Sequence, residues 1–205
     1  LVEFLLTKQG DDGAYYIEDG KVHYTSVIYL AKSIMEVMKE EQKLARSSEI
    51  WLRRYECHRE SLTRAIADLE SRRDNVETEG QQTYEDGMIS CTLTQLAMFA
   101  LKTGDGAFKR KLVEAAEYLF AGHRCLTLSQ HPDARVNGAT IRFWESQYAI
   151  CFMANMYNSP CGWTAWKLYG DYYLYLLTGK EGYLREAFNG LGACVQLFDH
   201  ENGRL

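Results

Sequence analysis

Apolar residues recur along most of this chain at the three-to-four-residue spacing of an amphipathic helix, and the polar positions between them predict where each helix starts and stops. Residues 26–45 line up Val27, Leu30, Ile34, Val37, Met38 and Leu44, with Thr25 or Ser26 as the capping residue. A second helix is predicted from Glu49 to Arg73, apolar at Ile50, Tyr55, Leu62, Ile66 and Leu69, with a densely charged opposite face that suits an outer helix. Ahead of both, residues 10–24 set Gly13 and Asp19-Gly20 around a short aromatic run, the pattern of a small hairpin or an irregular lead-in. The polar stretch 75–82 reads as a loop. Thr83 then caps a helix to Thr103, which Gly104 ends at a position that wants a left-handed residue, and a partner helix covers 106–122. Ser159-Pro160 opens the next helix, to Thr178, with a cap followed by proline at the first helical position, and its partner covers 181–198.

The last two hairpins are copies of one another. Asp86 to Phe120 lies over Cys161 to Val195 at a constant offset of 75 residues, matching Gly87 to Gly162, Leu93 to Leu168, Thr103-Gly104 to Thr178-Gly179 and Phe108 to Tyr183. Self-similarity at a fixed period is the mark of stacked or ring-arranged helical hairpins. Within each copy the first helix is the more apolar. The one over 160–178 carries Trp163, Trp166, Leu168, Tyr169, Tyr172, Tyr173, Leu174 and Leu176, which predicts burial on every side, with Tyr169, Tyr172 and Tyr173 as packing residues. The second helix of the first copy keeps a polar side of Lys109, Arg110, Lys111, Glu114 and Glu117. Buried and half-exposed helices in alternation predict an inner layer wrapped by an outer one.

A buried helix, a Thr-Gly turn and an outer helix, with aromatic residues on the inner member, resembles the six-hairpin (α/α)6 toroid of carbohydrate-active enzymes, among them glycoside hydrolases and some polysaccharide lyases. The resemblance is one of architecture over residues 26–198, three hairpins and so half a ring. It implies an all-α fold, with 1–205 as a single partial toroid domain and a further domain or second chain completing the ring. Helical-repeat scaffolds that only bind proteins share much of the pattern.

Composition narrows the picture. A net charge of −5, with both signs mixed throughout, lacks the clustered cations that a nucleic-acid backbone requires. No run approaches the ~20 apolar residues of a membrane span. The six cysteines are widely spaced with no CxxC, which argues against a metal site or a disulfide framework, and neither a DDxxD nor a DxDD motif suggests a terpenoid cyclase. The chain begins at Leu1 rather than a methionine and reads as part of a longer protein.

One segment stands outside the repeat. Residues 127–158 form a long insertion loop between an outer helix and the next inner one, and connections above ~12–15 residues in a compact domain are commonly functional. Ile141, Phe143, Trp144, Tyr148, Ile150 and Phe152 predict an ordered loop, and His131, Asp133, Arg135, Asn137, Arg142, Glu145 and Gln147 stand among them. Rings that stack on pyranose faces beside charged and amide groups that take hydroxyls are what a sugar site needs. In toroid enzymes of the resembled kind, the loops that lead into the inner helices line the active-site mouth, here Tyr84-Glu85-Asp86 and Ser159 to Trp163.

Glycoside hydrolysis needs two facing carboxylates. Glu85 or Asp86 on one side and Asp133 or Glu145 on the other are the candidates. Asp86 also has a simpler role, closing the helix end in a Thr83-x-x-Asp86 capping pattern. Glu145 is the better acid, because an aromatic neighbour such as Trp144 raises a carboxyl pKa. A lyase would instead use His131 or Tyr148 as base, with Arg135, Arg142 and Asn137 neutralising a uronate carboxylate. Trp163 and Trp166, three apart on one helix face, offer a stacking platform, Trp166 more as core and Trp163 more as site, with Tyr84 at the other opening. The substrate expected is an oligo- or polysaccharide, and the chemistry calls for no cofactor.

Overall fold

The computed structural model describes residues 2–16, 24–74, 86–104, 106–127, 137–138, 162–196 and 200–203; side chains at 24–30, 86–88, 123–127, 162–164 and 166 lie outside that description. All regular secondary structure among the described residues is helical: α1 (Val2–Leu6), α2 (Tyr24–Leu44), α3 (Glu49–Ser71), α4 (Asp86–Lys102), α5 (Gly106–Thr127), α6 (Gly162–Thr178) and α7 (Glu181–Gln196). None of these helices is long and apolar enough to cross a membrane. They belong to two compact units, residues 1–75 and 76–205.

In the first unit, α2 and α3 form a hairpin that buries Ile34, Met35 and Met38 with Leu62, Ile66 and Leu69. Each such side chain taken out of water contributes roughly 1.5–3 kcal/mol. The predicted apolar face is narrower than its spacing suggests, since Val37, Leu44 and Ile50 are exposed. Leu44 and Ile50 flank the inter-helix turn, and Val37 falls beside the stripe of Ala31, Ile34, Met35 and Met38 rather than on it. Thr25 and Ser26, expected as caps, lie inside α2. Of the lead-in, the part to Tyr16 is described, with a bridge between Gln9 and Tyr15 closing a turn whose Tyr15 is fully buried.

In the second unit the repeat becomes two hairpins, α4–α5 and α6–α7, whose first helices pack on each other. Every described side chain of α4 from Ile89 to Ala100 is buried, whereas α5 buries a stripe of Leu112, Ala115, Ala116 and Leu119. The two inner helices run in the same direction. Gly170 lies against Leu93 and Thr94 midway along α4, and Leu177, two turns further on, meets the first turns of α5 that follow the end of α4. The N-terminal ends of α4 and α6 and the C-terminal end of α5 therefore share one end of the unit. The left-handed residue after α6 is Gly179, at φ 69°, as the repeat predicts; after α4 it is Gly106, at φ 87°, rather than Gly104.

The expectation of a helix buried all round fails at α6. Its buried stripe is Lys167, Gly170, Asp171 and Leu174, while Tyr169, Tyr172 and Leu176 are exposed. Apolar composition cannot distinguish a side that meets a neighbouring helix from one that meets none. Here the side is set by Gly170, where a Cβ would collide with Leu93 Cδ2 and lie 2.9 Å from Thr94 Oγ1. Replacing Gly170 by Val should destabilise the unit by ~1–3 kcal/mol through overpacking, despite the helix propensity gained. Gly122, inside α5 with nothing within 4 Å of the place a Cβ would occupy, should respond in the opposite sense. Gly122→Ala is expected to stabilise by ~0.5–1 kcal/mol, and urea unfolding of both variants checks the pair.

Candidate functional site

Of the residues that the sequence singles out, Tyr84, Glu85, His131, Asp133, Arg135, Arg142, Trp144, Glu145 and Tyr148 lie outside the described residues. Asp86 and Trp163 stand in the first turns of α4 and α6, at the shared end of the unit, with their side chains outside the description. Asn137 is half-buried in a turn with Gly138. That glycine, at φ 84°, fits against the backbone of α7, where a Cβ would lie 2.6 Å from both Asn189 C and Gly190 N. The described part of the long loop is thus seated on the outer helix of the second hairpin.

The structure gathers polar chemistry elsewhere, inside the α4–α6 contact. Lys167 and Asp171 are 1% and 0% exposed, and Lys167 Nζ donates to Asp171 Oδ2 across one helical turn. They flank Gly170, so both lie on the side of α6 that α4 covers. From α4 come Thr94, which sits against Gly170, and Ser90 one turn before it, both buried; Thr92 and Gln95 are buried on the other side of that helix. Thr94 Oγ1 donates to the Ser90 carbonyl at 2.8 Å, and Gln95 Oε1 has no hydrogen-bond partner among the described residues. A buried acceptor left in that state costs ~1–3 kcal/mol. Seen in the sequence, Lys167 and Asp171 are an i,i+4 charged pair in an otherwise apolar helix, and that spacing was the signal for them.

A second cluster ties the outer helices. Glu117 Oε1 of α5 accepts from Lys180 Nζ at 2.6 Å and from Tyr183 OH at 2.7 Å, and the Tyr183 ring stands edge-on to Phe120 with centroids 4.7 Å apart. Partial burial works against ionisation of Glu117, but the two hydrogen bonds and the Lys180 charge outweigh it and hold its carboxyl below the ordinary value. Burial, then the bond to Glu117, drives the Tyr183 hydroxyl well above its ordinary value, so it stays a donor. Beside this cluster an open groove of about 300 Å³ is lined by Gly106, Lys109, Arg110, Val113 and Glu114 of α5 and by Leu177 of α6. Its rim has two cations and one carboxylate.

The first unit contributes a buried pair that sequence spacing does not reveal, because its partners come from different helices. His58 Nδ1 lies 2.7 Å from Glu41 Oε2, with both side chains nearly inaccessible. Ser61 shares the same face of α3, but its hydroxyl is committed to Gln9 Oε1 at 2.7 Å and to Tyr15 OH at 2.8 Å. Glutamate, histidine and serine therefore do not form a hydrolytic relay. Asp12, part of the acidic lead-in, spends its carboxylate on Tyr16 OH and the Ala14 amide, and the Tyr16 bond is the main reason its pKa is lowered. Among the described residues no group of three or more His, Cys, Asp or Glu is placed to hold a metal ion.

The Lys167–Asp171 pair is sealed between helices, and its chemistry is that of a clamp. Removing one partner strands the other charge in a dry contact, so Lys167→Met is expected to cost ~3–5 kcal/mol. Replacing both, as Lys167→Met with Asp171→Leu, is expected to recover most of that loss. A double-mutant cycle in urea measures both, and additive losses would contradict the pairing. No family model, curated protein or solved structure matches the chain.

Proposed function

We propose that this chain is part of an (α/α) toroid in a carbohydrate-active enzyme that cleaves glycosidic bonds, with a carboxylic acid and a carboxylate as its working groups. The observation that carries the reading is the shared end of the second unit. The inner helices α4 and α6 both open there, with Asp86 and Trp163 in their first turns, and α5 delivers the chain into residues 128–161 at the same end. That segment holds Asp133, Trp144 and Glu145, so the carboxylates and rings suited to a sugar belong to the stretch of sequence that leaves and re-enters this end. The half-exposed α5 beside the buried α4 supports the same architecture.

In this reading Glu145 is the acid that protonates the leaving oxygen, and Asp133 or Asp86 is the second carboxylate. Trp144, Tyr148, Trp163 and Tyr84 supply stacking faces, and Arg135, Asn137 and Arg142 hold hydroxyls or an acidic substituent. Reducing-end release from a panel of neutral and acidic polysaccharides, followed alongside absorbance of unsaturated uronates, tests it. New reducing ends without absorbance, with turnover ~10²–10⁴ lower in Glu145→Gln, are expected. Absorbance rising with the reducing ends would move the chemistry to a lyase with His131 or Tyr148 as base. Silence on the whole panel would leave a non-catalytic glycan-binding scaffold.

A further inference from the structure

We draw no further inference here: the strongest candidate, the open groove lined by Gly106, Lys109, Arg110, Val113 and Glu114 of α5 and Leu177 of α6, rests on surface charges at a helix N-terminus, and none of the polar side chains lining it is buried.

Discussion

The approach of Gly170 to the Leu93–Thr94 edge of α4 is the contact on which the second unit depends. A side chain on α6 at that point would collide with Leu93, so the two inner helices come as close as they do only because residue 170 has none. Close approach brings Lys167, Asp171 and Leu174, the neighbours of Gly170 on the same stripe, under α4. It also fixes which way α6 faces, and hence which of its tyrosines are left outside. The outer helices follow, with Glu117, Lys180, Tyr183 and Phe120 joining α5 to the start of α7.

A buried ion pair is an odd companion for such a contact. Two charges withdrawn from water gain little net stability over a well-packed apolar pair, and their better-attested use is to fix a register. The repeat puts this in perspective, because the corresponding positions on α4 are Thr92 and Leu96. The charges belong to the second copy alone. They make the two hairpins unequal where the sequence otherwise makes them alike, and they bind α6 in one rotational setting against the Leu93–Thr94 edge of α4. A helix as uniformly apolar as α6 has several faces it could bury, and the pair selects among them.

Much of this was legible beforehand. The 75-residue repeat predicted two equivalent hairpins, and the structure has both, with α4 buried and α5 half-exposed. What misled was composition. Tyr169 and Tyr172 are as apolar by count as Leu168 and Leu174, so a helix bearing all of them reads as surrounded, and only the position of Gly170 shows which side has a neighbour. The Lys167–Asp171 spacing was visible but was outweighed by the aromatic residues around it. His58 and Glu41 were not legible at all, since 17 residues and a turn separate them in sequence. The proposed sugar chemistry rests on residue types in 127–158 that sequence alone supplies.

The claim that one α4–α6 contact organises the second unit is tested most directly by native-state hydrogen exchange, read amide by amide. If it is correct, the amides of Leu93–Ala97 and Gly170–Leu174 exchange only through a common opening of highest free energy. The same residues should then lose protection together in Gly170→Val. Exchange of the α6 amides through a lower-energy opening that leaves α4 protected would contradict it.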